Sequence, residues 1–283
     1  MKFQKEIDEI IQRAFKEDIG PGDITTQATI SPDIIGEAKF LAKDKGIIAG
    51  LDIVQRVFQL YDASLNFQRF VSDGDKVEYG HIIASVKGKA SSILTTERTA
   101  LNFLQRMSGI ATLSNSFKNS IKHTKTKIID TRKTVPGLRI LDKMAVEAGG
   151  CRNHRIGLYD MFLIKDNHIA ASGSITKAVS ACRDFMKTNN KSFKIEVEVT
   201  NLEETREALD SKADIIMLDN FDLDMMLEAV SLIDDQALIE ASGGINLDTV
   251  RAVAETGVDF ISVGALTHSV KALDISLDLS LVI

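Results

Sequence analysis

The second half of the chain alternates short apolar strands with amphipathic helices, and this pattern limits the possible fold more than any other feature. The predicted strands are KIID (127–130), MFLIKD (161–166), KIEVEV (194–199), DIIMLDN (214–220), ALIEAS (237–242) and FISVGA (260–265). The segments between them have helical periodicity, as in NLEETREALDS and NLDTVRAVAETG. Buried strands joined by helices form right-handed βαβ units around a parallel sheet. Six such units fit either a doubly wound sheet or a (β/α) barrel.

The positions of the polar residues favour the barrel. Each predicted strand ends in, or is directly followed by, a polar residue or glycine: Asp130, Lys165, Glu198, Asp219, Ser242-Gly243-Gly244 and Gly264. In (β/α) barrels this face carries the chemistry, and the loops after the last strands commonly bind phosphate. The turn at 242–244, followed by the predicted helix NLDTVRAVAET, would offer free amides and a helix N-terminus to an anion. The sequence has no Gly-Lys-Ser/Thr loop and no Gly-x-Gly-x-x-Gly after a strand, which argues against a P-loop or dinucleotide fold.

A cationic segment lies inside an otherwise acidic chain. Residues 131–155 hold six Lys/Arg against two acids, whereas the whole protein has 40 Asp+Glu, 34 Lys+Arg and a formal net charge of -6. Such a run is usually a solvated basic face. Here Pro136-Gly137 and Gly149-Gly150 divide it into loop-like pieces, where binding groups are often found. Because guanidinium groups match carboxylate and phosphate oxygens, we expect a small polyanionic substrate rather than nucleic acid.

The first half of the chain has a different character. Short strands are predicted in EAKFLA, GIIAG and LNFQRF, and VSDGDKVEYGHIIASVKG (71–88) is predicted as a hairpin around an Asp-Gly turn. A helix is predicted over residues 1–18, and a longer one over 95–122, in which Ser108-Gly109 marks a bend or close packing. Arg98 and Arg106 on that helix would by default pair with acids on the same helix.

Other features of the chain favour the cytoplasm. The N-terminus lacks the apolar core of a signal peptide, and no run of about 18 apolar residues is present. The two cysteines have no metal-ligand spacing and fit a reducing compartment.

Two glutamates on one predicted strand are candidate site residues. Glu196 and Glu198 alternate with apolar residues, so both point to the same side of the strand and, in a barrel, into its interior. Buried carboxylates are costly unless they are paired or bind metal. With Asp219 on the next strand, they suit transfer at a sugar anomeric carbon, where acids hold a metal ion or stabilise an oxocarbenium-like centre.

Nine segments of the chain form an ordered set: EDIGPGDITT (17–26), ERTALNFLQRMSGIAT (97–112), DTRKTVPGLR (130–139), GGCRNHRIGLYD (149–160), LIKDNH (163–168), EVEV (196–199), MLDN (217–220), SGGI (242–245) and VGALTHS (263–269). Through these segments the sequence resembles, over nearly its whole length, the family of nicotinate-nucleotide pyrophosphorylases or quinolinate phosphoribosyltransferases. Single tetrapeptides among these are weak signals, but their order and spacing are specific.

The family implies an α/β protein with an N-terminal α/β sandwich domain and an incomplete (β/α) barrel of six or seven strands. We expect the sandwich domain and its linker helix at 1–112, the barrel at 113–270, and a segment at 271–283 that packs back on the N-terminal domain. The family also implies a cytoplasmic homodimer in which one subunit's N-terminal domain covers the other's barrel. Its reaction joins quinolinate to phosphoribosyl pyrophosphate with Mg²⁺, giving nicotinate mononucleotide, pyrophosphate and CO₂ in de novo NAD biosynthesis.

Matched residue by residue, the resemblance implies three groups of site residues. The cationic group that holds the dicarboxylate and phosphoribosyl moieties is Thr131, Arg132, Lys133, His154, Arg155 and Lys165, with Arg98 from the neighbouring subunit. The ribose and its Mg²⁺ face Glu198 and Asp219, which with Lys133 are the implied catalytic residues. The 5′-phosphate group is Ser242, Gly243, Gly244 and Gly264, with His268 nearby. Glu198 is preferred to Glu196 for its spacing to Asp219, and that choice stays open.

Two alternatives remain at the level of sequence. A paralogue of the molybdenum-transport-associated type would bind a phosphoribosyl compound and use another base. A non-catalytic ligand-binding barrel would bind without forming product. Turnover with quinolinate discriminates between these and the main prediction.

Overall fold

The fold is described from a computed structural model covering residues 3–281, so Met1, Lys2, Val282 and Ile283 lie outside the described part of the chain. The chain divides into two compact units, and neither unit is continuous in sequence. The first comprises 1–115, 134–150 and 266–283, and the second comprises 116–133 and 151–265.

The helices and strands alternate along most of the chain. The helices are α1 (Gln4–Asp18), α2 (Ile24–Thr29), α3 (Leu51–Tyr61), α4 (Ala90–Ser120), α5 (Arg139–Ala148), α6 (Asp166–Ser172), α7 (Ile175–Asn189), α8 (Leu202–Asp210), α9 (Leu223–Ile233), α10 (Val250–Glu255) and α11 (Ala265–His268). The strands are β1 (Ile35–Ala42), β2 (Gly46–Ile47), β3 (Asn66–Arg69), β4 (Lys76–Val77), β5 (Ile82–Lys89), β6 (Lys127–Ile129), β7 (Phe162–Ile164), β8 (Ile195–Val199), β9 (Ile215–Asp219), β10 (Leu238–Ser242), β11 (Phe260–Ser262) and β12 (Ile275–Leu281).

The first unit is built on an antiparallel sheet of four strands in the order β12-β1-β5-β3, beside a two-stranded pair β2-β4. The C-terminal strand β12 pairs with β1 along its whole length. The sheet's apolar face is filled by aromatic rings, with Phe58 of α3 between Phe40 and Phe67 at centroid distances of 6.1 and 5.9 Å. Helix α1 adds a buried stripe of isoleucines, Ile7, Ile10 and Ile11.

The hairpin predicted at 71–88 is wrong. Strand β4, which follows the Asp-Gly turn, pairs with β2. Strand β3, which precedes the turn, pairs with β5, and β5 also pairs with β1. The strands on either side of the Asp-Gly turn therefore belong to different sheets. The reason lies in Asp73, whose carboxylate accepts hydrogen bonds from the backbone amides of Gly50 and Leu51 at the start of α3. The turn therefore caps a helix instead of joining two paired strands.

The close packing predicted at Ser108-Gly109 is confirmed. A Cβ at Gly109 would overlap the carbonyl oxygen of Lys271, and α4 continues through this point. One turn earlier, Arg106 makes a two-pronged ion pair with the fully buried Asp142 at 2.8 and 2.9 Å. The partner of Arg106 is thus on α5 and not on its own helix, contrary to the default expectation.

The second unit is a parallel sheet in the order β6-β11-β10-β9-β8-β7, with helices in the connections. All six predicted strands of this half of the chain are confirmed. Strand β6, the first of this unit in sequence, pairs with β11, the last, and this pairing closes most of a barrel. Strands β6 and β7 are the two edge strands of the sheet. Between them a single parallel bridge joins Ile129 to Arg152. This is the incomplete (β/α) barrel that the resemblance implies.

The register of this sheet decides which side chains share its inner face. Paired residues on neighbouring strands point the same way. The pairs that include an acid are Leu163–Glu196, Glu196–Ile215, Glu198–Met217, Met217–Glu240, Glu240–Phe260 and Asp219–Ser242. The intervening residues Val197, Ile216 and Ala241 are fully buried on the opposite face, on the side of the helices. Three glutamates, one aspartate and Ser242 therefore lie on the inner face.

None of the helices within residues 3–281 is both long and apolar enough to span a membrane.

Candidate active site

The deeper level of the barrel interior holds one histidine and two glutamates. His154 Nε2 lies 3.0 Å from Glu196 Oε2 and 3.4 Å from Glu240 Oε2. The side chains of the three residues are 8%, 0% and 1% exposed. Glu196 on β8 and Glu240 on β10 both point into the barrel. Because only β9 separates these two strands, the two side chains meet at the same level of the interior. We call this group the His-Glu-Glu cluster.

The segment that carries His154 is fixed against β6. Arg152 exchanges backbone hydrogen bonds with Ile128 and Asp130 at 2.9 and 3.1 Å, and the His154 amide donates to Asp130 Oδ1 at 2.8 Å. The next amide, that of Arg155, donates to His154 Nδ1 at 2.7 Å. Only an unprotonated Nδ1 can accept this bond, so the proton of the neutral ring lies on Nε2 and points at the two carboxylates.

Burial and charge act on this cluster in opposite directions. Burial first, and then the nearby charge of Glu240, raise the pKa of Glu196 to about 7, although His154 lowers it. Burial lowers the pKa of His154, but the two nearby carboxylates outweigh that and raise it overall. The Arg155 amide on Nδ1 opposes the second ring proton, because an imidazolium has no lone pair there. This hydrogen bond therefore favours a ring whose single proton lies on Nε2.

The upper level opens at the C-terminal ends of the strands. Glu198, one inward step above Glu196, makes an ion pair with Lys165 just past the end of β7. Their side chains are 14% and 43% exposed, so this pair reaches solvent. On the next strand Asp219 accepts a hydrogen bond from the Asn220 side chain at 2.8 Å. We call this level the rim.

Two glycines follow β10 at the rim. Gly243 and Gly244 have φ values of 99° and 62°, and a Cβ on Gly243 would overlap Asn220 Oδ1. The helix predicted after this turn is present but shorter than the predicted segment, since α10 runs from Val250 to Glu255. Before α10, the side-chain oxygen of Asn246 accepts from the amides of Asp248 and Thr249, so a turn separates the helix from the two glycines.

The cationic residues lie on the two segments that flank the open side of the barrel. Thr131, Arg132 and Lys133 follow β6, where Thr131 Oγ1 accepts from the Lys133 amide at 3.1 Å. Arg155 donates to the carbonyl oxygen of Met161 at 3.3 Å. Burial lowers the pKa of Arg155, and the neighbouring charge of Arg132 lowers it further. Two guanidinium groups held near each other are suited to a dianionic ligand.

The remaining residues of the predicted site occupy separate places. Gly264 follows β11 directly after Val263, whose amide donates to the Ile129 carbonyl. Arg98 is exposed on α4, and His268 ends α11 with Nδ1 2.6 Å from Ser269 Oγ; both belong to the first unit.

Sequence reasoning missed Glu240. It lies in ALIEAS, a strand otherwise apolar on both faces until Ser242. The available signal was its position, since Glu240 lies two residues before Ser242 on the same face of the strand, as Glu196 lies two residues before Glu198. The partnership of His154 with Glu196 and Glu240 was also not predicted, because it depends on the register of three strands.

Comparison with known proteins gives consistent results over the whole chain. The family model described as quinolinate phosphoribosyl transferase, N-terminal domain, matches residues 23–108, and the model of its C-terminal domain matches residues 110–278. The chain is 46% identical over 288 aligned positions to a mitochondrial quinolinate phosphoribosyltransferase (decarboxylating) of Nicotiana tabacum, with 96% of this chain and 82% of the tobacco protein covered. It is 44% identical to a probable nicotinate-nucleotide pyrophosphorylase (carboxylating) of Bacillus subtilis, with 98% and 94% covered. The crystal structure of NadC from Streptococcus pyogenes superposes with a TM-score of 0.94 at 39% identity and covers 98% of this chain and 97% of that chain.

Proposed function

The chain belongs to the quinolinate phosphoribosyltransferase family, and from this premise we propose that it transfers the phosphoribosyl group of phosphoribosyl pyrophosphate to quinolinate. The products are nicotinate mononucleotide, pyrophosphate and CO₂, and the enzyme class is that of a nicotinate-nucleotide pyrophosphorylase (carboxylating). The observation that carries this proposal is the rim: Lys165 directly follows β7, Glu198 and Asp219 lie on the next two strands, and the glycine turn at 243–244 follows the strand after those.

The cationic segments supply the binding of the dicarboxylate. Arg132, Lys133 and Arg155 offer charge-assisted donors that match the two carboxylates of quinolinate, with His154 beneath them. Held in this way, the pyridine nitrogen can face the anomeric carbon of the ribose. Positioning alone can supply several kcal/mol of the activation barrier, on the order of 7–11 in favourable cases.

The acids of the rim stabilise the transition state. As the C1′–O bond to pyrophosphate breaks, positive charge develops at C1′, and the carboxylates of Glu198 and Asp219 can stabilise it. The nitrogen lone pair forms the new bond to C1′. The cationic ring nitrogen then stabilises the electron pair that stays on the neighbouring carbon when its carboxylate departs as CO₂, and that carbon takes a proton from solvent to complete the product.

We further propose Mg²⁺ as the metal ion, with Glu198 and Asp219 as its protein ligands. Two carboxylates at an open edge fit this ion, because Mg²⁺ keeps several waters and commonly binds through one or two carboxylates plus substrate phosphates. When bound, it would neutralise the charge of the departing pyrophosphate. Lys165 already balances part of the Glu198 charge, so in this proposal the substrate oxygens supply most of the remaining coordination.

The assembly and location of the enzyme are also part of this proposal. We propose a cytoplasmic homodimer in which Arg98 of one subunit binds the substrate of the other. Arg98 is exposed on α4, which leaves its guanidinium available for such a role. Size measurement in solution and complementation between an Arg98→Ala subunit and a Lys133→Ala subunit would test it: mixed dimers should regain about a quarter to a half of the activity if the site is shared.

The test of the function is a direct assay with quinolinate, phosphoribosyl pyrophosphate and Mg²⁺, following nicotinate mononucleotide and CO₂ together. We expect the two products in equal amounts. In Lys133→Ala the rate should fall by at least about 10²-fold with an unchanged melting temperature, because an exposed cation that contacts the substrate is removed. Lys127→Ala, which removes an exposed lysine at the start of β6, is the matched control and should keep full activity.

Bound phosphoribosyl pyrophosphate without product would contradict this function and favour a paralogue with another base. None of the three similar proteins described above carries the name of the molybdenum-transport type.

A further inference from the structure

Glu196 and Glu240 have no part in the chemistry described so far, yet both are buried inside the barrel. Their side chains are 0% and 1% exposed, and each points at His154 Nε2. Burying two carboxylates together is costly unless they are paired or share a proton. An arrangement with this cost is expected to serve a purpose.

A metal site is the first alternative, since the three residues offer ligand atoms that lie within 4.8 Å of one another. A histidine that binds a metal through Nε2 needs its lone pair on that atom and usually donates from the other ring nitrogen. Here Nδ1 accepts from the Arg155 amide, so Nε2 carries the proton and has no lone pair to offer. Nε2 lies 3.0 Å from a Glu196 oxygen and 3.4 Å from a Glu240 oxygen, so a proton on Nε2 faces two carboxylates.

Three charged groups act on Glu196 from two directions. Glu240 faces it from β10, while His154 and the Arg155 guanidinium both act from the segment after the bridge at Arg152. The residue paired with each acid on β9 is apolar, Met217 for Glu240 and Ile215 for Glu196.

We propose that Glu196 and Glu240 are positioning residues that hold His154 with its proton on Nε2, so that Nδ1 fixes the Arg155 backbone and aims the Arg155 guanidinium at the substrate carboxylates. This inference rests on the proposed function for the identity of the substrate. The contacts form a continuous series: two carboxylate oxygens lie 3.0 and 3.4 Å from Nε2, Nδ1 accepts a hydrogen bond from the next amide, and that amide belongs to Arg155 of the cationic group.

A pair of substitutions at Glu240 separates positioning from simple packing. In Glu240→Gln the side-chain oxygen can still accept from Nε2–H. In Glu240→Leu no such bond is possible. We expect Glu240→Leu to raise KM for quinolinate by about tenfold or more with little change in KM for phosphoribosyl pyrophosphate, and Glu240→Gln to stay near the wild type. Glu203→Gln, an exposed acid in the first turn of α8, is the control for the loss of charge alone.

Nitrogen NMR of labelled histidine gives a readout that does not depend on turnover. The wild type and Glu240→Gln should show an unprotonated Nδ1 and a protonated Nε2 for His154, and Glu240→Leu should lose this fixed pattern. If Glu240→Leu does not fold, Glu240→Ala decides: it removes the same acceptor with a smaller side chain and should show the same rise in KM for quinolinate.

The outcomes distinguish this inference from the function on which it rests. A wild-type protein without turnover would overturn the proposed function and the substrate named here. An active wild type whose Glu240→Leu variant keeps its KM for quinolinate and the His154 nitrogen pattern would overturn only the positioning role. A stoichiometric divalent metal in the purified protein that Glu240→Gln loses would overturn it as well.

Discussion

Glu196 and Glu198 lie on the same strand and point to the same face, yet their surroundings are opposite in burial and charge. Two residues along a strand correspond to about 6.6 Å, which here separates the closed interior from the open rim. Glu196 is fully buried with another acid and a histidine, and its pKa is raised to about 7. Glu198 is partly exposed and paired with the ammonium group of Lys165. The difference teaches that depth in the barrel, and not residue type, decides whether a carboxylate supports the framework or is available for chemistry.

The largest effect that would test this comparison is on stability. We expect His154→Leu to lower the free energy of unfolding by about 3–5 kcal/mol, because it leaves two buried carboxylates facing each other without a donor. Chemical denaturation monitored by circular dichroism measures this directly. His154→Gln should cost less, since its amide can still donate to one of the acids.

The matched change at the rim is Lys165→Ala, which also removes the partner of a glutamate. We expect it to lower the free energy of unfolding by no more than about 1 kcal/mol, because the Lys165–Glu198 pair reaches solvent. Equal losses of stability in His154→Leu and Lys165→Ala would show that the two levels of the barrel do not differ as described.

The sequence was sufficient for the regular part of this architecture. The six parallel strands could be predicted because short apolar runs separated by helical periodicity are local signals, and the observed strands lie within the predicted ranges. The incomplete barrel came from the family resemblance. Local signals failed where a distant partner decides the structure, as at Asp73, whose carboxylate caps α3 and turns a predicted hairpin into a connection between two sheets.

The candidate site shows the same limit. The rim residues Glu198 and Asp219 could be proposed because they end predicted strands. The His-Glu-Glu cluster could not, since His154 and Glu240 are far apart in sequence and meet only through the register of β8, β9 and β10. The helix predicted after the glycine turn is present but begins only at Val250, because Asn246 stabilises a turn before it through short-range hydrogen bonds.

A smaller effect is expected from pH. The pKa of Glu196 is raised from 4.5 to about 7 in the folded protein, so its protonated form contributes stability below pH 4.5 that is lost as pH rises through 7. Over this window we expect the wild type to lose about 1–3 kcal/mol relative to Glu196→Gln, which cannot ionise there. Urea denaturation of both proteins at about pH 5 and about pH 8 measures the difference. A Glu198→Gln variant serves as the comparison at the rim. If the difference in unfolding free energy between this variant and the wild type grew with pH as steeply as that for Glu196→Gln, the two levels of the barrel would not be distinct.

The smallest effect concerns the glycine turn, which sharpens what the rim requires. Gly243 and Gly244 both have positive φ, but only Gly243 lies against a neighbour, since a Cβ at this position would overlap Asn220 Oδ1 and lie 2.9 Å from the Asn220 amide nitrogen. We expect Gly244→Ala to cost about 1 kcal/mol of stability through backbone strain alone, with a small rise in KM for phosphoribosyl pyrophosphate. Gly243→Ala should add the displacement of Asn220, whose side chain bonds Asp219, and so should also lower kcat. Steady-state kinetics and thermal denaturation of the two variants separate these effects. Identical kinetics in both variants would mean that the contact between Gly243 and Asn220 does not position the acid of the rim.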